Sequence, residues 1–348
     1  MKKTLYFLFT LALAACTTSQ KEEPVEKHYD ARSNVINVKS LIHEIEMEDP
    51  IISTWATPII MNNYLVIGDT KSPGKLIHIF DKNNFKYLAS TGDFGQGPGE
   101  LSNMGSLLPV EQHNSFYVLD AGSQNIYNFN IDSILRDPNY LPSVKGKMNG
   151  RRFPVQIYYV NDTLSYAMVW DILNAGDYRP RAACYNLLTG ESRFMEYLGH
   201  PEVERKRVSL AVSPENNLYA EAYWYHDLIT LHSLDGKLKH ILYGAKWNNQ
   251  RSNRNEYFGV PCFCNDKLIA TYVGGPRFVK KNGQEKVVYP TQLAIFDLKG
   301  NYLATLDINY AIHNLCVDEE NDRIIFSFDD EIQFGYLDLK SVPGLGKK

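Results

Sequence analysis

Residues 62–69 read Asn62-Asn63-Tyr64-Leu65-Val66-Ile67-Gly68-Asp69: a polar, turn-forming pair followed by an apolar run too short for a helix. The pattern returns five times, with strand-like cores Phe116-Tyr117-Val118-Leu119-Asp120, Leu164-Ser165-Tyr166-Ala167-Met168, Leu218-Tyr219-Ala220-Glu221-Ala222, Leu268-Ile269-Ala270-Thr271-Tyr272 and Ile324-Ile325-Phe326-Ser327-Phe328. Counted from Leu65, their first residues lie 51, 48, 54, 50 and 56 positions apart. Each follows a polar pair such as His113-Asn114, Asn161-Asp162 or Asn216-Asn217. A near-constant period of this size marks an array of like units and fixes the architecture before any single element is placed.

A second apolar series follows each core, from Leu76 to Asp81 in the first repeat and from Leu293 to Leu298 in the fifth. Turns such as Asp81-Lys82-Asn83-Asn84, Asp235-Gly236 and Lys299-Gly300 then open short further strands. Another apolar stretch precedes each polar pair, as in Pro58 to Met61. Four short antiparallel strands per repeat, six times over, predict an all-β fold: a six-bladed β-propeller. The sixth repeat runs out after three strands, and a ring cannot close on an exposed edge. Val35 to Val38 or Leu41 to Met47, which precede the first repeat, are expected to close the last blade from the N-terminal side. The domain boundaries expected are a signal peptide over 1–15, a flexible tether over 16–32, one propeller over 33–340 and a C-terminal tail over 341–348.

Composition agrees with a strand-rich soluble body. Of 348 residues, 12% are aromatic, with 23 Tyr and 16 Phe. The formal charge of −4 makes nucleic acid a poor partner. At the N-terminus, Lys2 and Lys3 precede an apolar run from Leu5 to Ala14, too short to span a bilayer. Leu13-Ala14-Ala15-Cys16 then resembles the bacterial lipobox, which implies cleavage before Cys16, lipidation of Cys16 and an outer-membrane-anchored place in the cell envelope. The membrane is met through that lipid alone. Cys184, Cys262, Cys264 and Cys316 lack the paired spacing of a zinc site, and Cys262 and Cys264 at i and i+2 on one strand are poorly aimed for a disulfide.

Gly92-Asp93-Phe94-Gly95-Gln96-Gly97-Pro98-Gly99-Glu100-Leu101, between the first two repeats, resembles the Gly-x-Gly-Pro-Gly-Glu signature of TolB-like six-bladed β-propeller lipoproteins of Bacteroides-type bacteria, which are related to the NHL-repeat propellers. The resemblance takes in lipobox, repeats and this loop, and it hands over no catalytic residues. Read directly, the loop lacks the Lys-Ser/Thr of a phosphate-binding loop and has no helix after it, so it reads as a blade-to-blade crossover.

Catalytic signatures are few. There is no Gly-x-Ser-x-Gly elbow, and the zinc-protease string begun by His43-Glu44 meets Met47 where its second His belongs. The enzyme alternative is a metal-dependent lactonase or esterase-like hydrolase at the channel mouth, with one divalent cation such as calcium held by Glu100, Asn103 and Asn314. Otherwise no cofactor is expected.

Loop length and charge point elsewhere. From each core to its second series the spacings are 11, 10, 19, 11, 25 and 8, so repeats three and five carry long loops. Those loops and the blade connections on the same side, segments 145–152, 169–181, 202–207, 246–256 and 273–291, together carry +10 on a chain of −4. Aromatic residues interleaved with Arg suit recognition of carboxylates. The expected function is non-catalytic binding of an envelope protein, peptide or acidic glycan through this basic loop face, with Arg151, Arg152, Trp170, Tyr178, Arg207 and Arg277 as contact residues.

Overall fold

The polar pairs form the turns they predict. Asn62, Asn114, Asn217, Asn265 and Asp322 all sit at φ between 46 and 55°, the left-handed region that Asn and Asp tolerate best. In the remaining copy, Asn161 Oδ1 accepts from the backbone N–H groups of Thr163 and Leu164 at 3.1 and 2.9 Å. A computed structural model describes residues 23–47, 49–250, 254–281 and 283–346; the expected signal peptide and Cys16 lie outside them.

Six antiparallel blades result. Their innermost strands are Ala56–Met61, Met104–Val110, Arg152–Asn161, Val208–Ser213, Asn255–Cys264 and Ile312–Asp318. The second strands, such as Ser115–Asp120 and Arg323–Phe328, are buried at every position, which is why the repeat cores read as unbroken apolar runs and not as alternation. The hydrophobic core is divided among the gaps between blades. Ile77 and Ile79 meet Phe116 and Phe129 between blades one and two, and Leu65 and Phe80 meet Ile325 and Phe334 between blades one and six. Each such Phe contributes about 1.5–3 kcal/mol by leaving water.

The ring closes as expected on blade six, where Ile42–Glu44 runs antiparallel to Phe334–Asp338. Val35–Asn37, the other stretch weighed for that place, runs parallel to Tyr302–Asp307 on the rim of blade five. The tether expected over 16–32 is corrected in its described part: Val25–Tyr29 is a strand parallel to Leu238–Gly244 on blade four. Its polar composition fits a strand whose outer side faces water, and its anchor is Tyr29, which packs edge-on against Phe296 at 5.0 Å and donates to Asp227 at 2.9 Å. Nor do the described residues from 341 onward form a free tail, since Val342 and Leu345 are buried in the core of blades five and six.

Polar side chains lock the seam between blades six and one. Asp318, 1% exposed, accepts from Arg323 at 2.9 Å and faces Lys82 of blade one at 3.4 Å, while Arg323 also donates to the Lys82 carbonyl at 2.5 Å. Burial pushes the Asp318 carboxyl up, but the Asn321 hydrogen bond and the Lys82 and Arg323 charges outweigh it and hold it below the usual range.

Candidate functional site

In blade three, Leu164–Asn174 and Asp177–Tyr185 run 11 and 9 residues, against 6 each for the equivalent strands of blade four. The surplus carries this hairpin beyond the body of the ring. Within it Trp170 pairs with Pro180 and Ile172 with Tyr178, so Trp170 and Tyr178 are diagonal neighbours on one face. Their ring centroids lie 4.6 Å apart. Arg207, the residue before the inner strand of blade four, brings its guanidinium 4.3 Å from the Tyr178 ring. Its backbone is fixed by Trp224, whose N–H donates to the Arg207 carbonyl at 3.0 Å. Three of the expected contact residues, Trp170, Tyr178 and Arg207, thus form one stack.

The stack borders a cleft of about 550 Å³ between the blade-three hairpin and the connection that leads into blade four. Arg179, Arg205 and Arg207 supply its basic wall, with Asp171, Asp177 and Glu204 among them. Arg181 is held below its ordinary value, first by burial and also by Arg152 and Arg179, with Asp171 opposing; its Nε is buried without a hydrogen-bond partner. Sequence reading did not single out Arg179 and Arg205: Asp171 and Asp177 cancel the arginines of segment 169–181, and Glu202 and Glu204 offset two of the three basic residues of segment 202–207. The usable signal was the run Arg205-Lys206-Arg207 beside a hairpin carrying arginines at alternate positions.

Several other basic residues of that face are paired or lie outside the cleft. Lys206 turns inward and pairs with Glu221 at 2.6 Å, with side-chain exposures of 7% and 0%. Lys145 pairs with Asp162 at 2.6 Å. Arg152 lies over Phe194 at 4.9 Å and donates to the Ser192 carbonyl at 3.2 Å, beside a separate surface hollow. Arg151 is exposed, and its carbonyl accepts from the Ile172 N–H at 2.9 Å. Arg277 belongs to blade five, where it faces Glu256 at 3.3 Å and donates to the Tyr225 hydroxyl at 3.3 Å. None of these three lines the cleft.

The residues offered for a metal separate. Glu100 Oε2 accepts from the Gly97 N–H at 2.7 Å within its own loop. The Asn103 N–H donates to Asp120 at 2.5 Å, and Asn314 donates to Thr57 at 3.3 Å. Of the three, only Asn314 lines the central channel. Among the described residues, no group of three or more His, Cys, Asp or Glu side chains is placed to hold a metal ion. The four cysteines after Cys16 are all unpaired thiols.

The channel itself encloses about 720 Å³ and is walled by the six inner strands, from Phe153 at the loop face to Tyr159 at the turn face. Among the described residues no charged side chain lines it. Trp170 does, and so stands between channel and cleft.

Among the described residues no helix is long and apolar enough to cross a membrane. No family model and no curated protein matches the chain. In structure it is similar to a member of the DUF4221 family from Bacteroides vulgatus, at 13% identity and TM-score 0.56 over 85% of this chain and 95% of that one. It is also similar to a Bacteroides fragilis protein described as exported, at 10% identity and TM-score 0.53 over 90% and 99%. At such identities the likeness is one of fold: this chain is a six-bladed β-propeller similar to those two Bacteroides proteins.

Proposed function

We propose that the protein is a non-catalytic binding protein of the cell envelope, anchored through lipid on Cys16 and of TolB-like kinship, that captures a carboxylate-bearing peptide, protein or acidic glycan. The observation that carries this reading is the Trp170–Tyr178–Arg207 stack beside a cleft walled by Arg179 and Arg205. A guanidinium held by stacking is already ordered, so less entropy is lost when it grips a carboxylate with paired hydrogen bonds.

The entry of the chain suits this use. Val25–Tyr29 starts opposite His240 and ends opposite Gly244, so it climbs from the turn face toward the face of the blade connections. The described chain thus enters the ring on the side away from the cleft.

Calorimetric titration with pentaglutamate and with oligogalacturonate tests the reading. Binding by the native chain should fall at least about tenfold in the Arg179→Glu, Arg207→Glu double variant, as loss of charge-assisted hydrogen bonds requires, with an unchanged melting temperature. Equal binding by both chains would sink it.

A further inference from the structure

The central channel is lined mainly by apolar side chains. Its few polar side chains are turned to the protein: Ser106 donates to the Val155 carbonyl at 2.7 Å, Gln156 accepts from the Leu210 N–H at 3.1 Å, and Asn314 both donates to Thr57 and accepts from the Leu315 N–H at 2.8 Å. Burial pushes the thiols of Cys262 and Cys316 up, so they too stay neutral. What remains for an occupant is apolar: Ile59, Leu107, Val155, Val260, Leu315 and the ring of Phe153. A volume of about 720 Å³ lies within the range of small-molecule sites.

One mouth of this channel is charged and the interior is not. Trp170 lines the channel, its ring stacks on Tyr178, and Tyr178 lies under the Arg207 guanidinium of the cleft. Two contacts, Trp170 to Tyr178 and Tyr178 to Arg207, therefore link the apolar lumen to the arginine wall. An occupant that matches both is elongated, uncharged along its length and anionic at one end.

We infer that the channel and the cleft together bind a single-chain anionic amphiphile, its aliphatic tail lying in the channel and its carboxylate at Arg179 and Arg207. The inference rests on the anion-binding reading of the cleft and names the ligand class for it. Tail burial supplies affinity in proportion to apolar area, and the arginines select for charge at the head.

The test uses the mature chain with N-phenyl-1-naphthylamine, an uncharged apolar dye, displaced by dodecanoate or by dodecan-1-ol. The dye should bind saturably, one per chain, and dodecanoate should displace it at concentrations about tenfold lower than the alcohol. Filling the lumen with Val260→Trp, or with Val155→Phe should the first variant melt early, should abolish dye binding. Arg179→Glu with Arg207→Glu should erase the preference for the carboxylate over the alcohol.

Absence of saturable dye binding by the native chain overturns the inference, and so does its survival in both filled variants. Equal displacement by acid and alcohol overturns the assignment of the head to the arginines. Arg207-dependent binding of pentaglutamate, with no displacement of the dye by dodecanoate, overturns the amphiphile while leaving the proposed function standing. Unchanged pentaglutamate and dodecanoate binding in the double arginine variant removes both.

Discussion

Lys206 Nζ stands 2.6 Å from Glu221 Oε1 in the interior between blades three and four. Glu221 lies on the second strand of blade four, so the pair pins the connection that forms one wall of the cleft to the body of the ring. Burial is the larger influence on Glu221 and raises its carboxyl above the ordinary value, with Lys206 opposing. Two buried charges paired with each other are costly to separate. Glu221→Gln or Lys206→Met should each lose about 3–5 kcal/mol of stability, while joint replacement by Leu and Met should recover most of it. Urea denaturation of the three variants checks this, and additive losses would show that the pair is not coupled.

The seam between blades six and one should contribute to the acid limit, as should Asp120 and Asp162, whose carboxyls are likewise held below the ordinary value. The folded carboxyl of Asp318 titrates below its unfolded value, so its contribution is present above the unfolded pKa, about 3.9, and is lost as pH falls through the folded one. Stability should therefore drop as pH falls from about 5 toward 2, and Asp318→Asn should be less stable at neutral pH yet show a shallower acid loss. Glu221 and Asp227, both raised mainly by burial, act in the opposite sense: their contribution is held at low pH and lost as pH rises through their folded values. Melting temperature against pH for the native chain and Asp318→Asn decides it; parallel curves would remove Asp318 from the account.

Arginines that look alike in the sequence should separate in function. Arg207→Glu should cost about tenfold in affinity for pentaglutamate, because it reverses the charge stacked on Tyr178. Arg152→Glu should leave that affinity within about twofold, since its partners are Phe194 and the Ser192 carbonyl outside the cleft. Equal losses would place the anion over the whole face.

The folded blades show where the sequence was informative. Blade count, blade order and the N-terminal closure of blade six follow from period and polar pairs, because a turn needs Asn or Asp locally and a strand buried on both faces must be apolar throughout. The basic face was legible only as a sum. Lys206 and Lys145 counted toward it, yet their partners Glu221 and Asp162 lie 15 and 17 positions away, a pairing that only the folded blades bring about. Val25–Tyr29 was hidden for a similar reason: its ladder partner is more than 200 residues downstream, and one face of it stays in water.

The N-terminal strands should be indispensable to the monomer. A chain begun at residue 48 would uncover the ladder edge of Phe334–Asp338 and the parallel rims of blades four and five. Exposed edges pair with other chains. Gel filtration should show the shortened chain as soluble oligomers or aggregate where the full chain elutes as one species; a stable monomer would mean that blade six closes without its fourth strand.

The glycine-rich loop should prove to be a structural clasp folded around Glu100. A Cβ on Gly95 would overlap the Glu100 carboxylate, and Gly99 has φ +78 with Pro142 and Leu141 against its missing side chain. Gly95→Ala must therefore expel Glu100 from the Gly97 N–H, and Gly99→Ala adds strain of about 1 kcal/mol or more. Both should lower the melting temperature by at least about 2 °C while leaving pentaglutamate affinity untouched, since the loop joins blades one and two and the cleft joins three and four. Were Glu100 instead a calcium ligand, added calcium would raise the melting temperature of the native chain and not of Glu100→Gln. The clasp predicts no calcium response in either, with Glu100→Gln less stable than the native chain through its weaker hold on the Gly97 N–H.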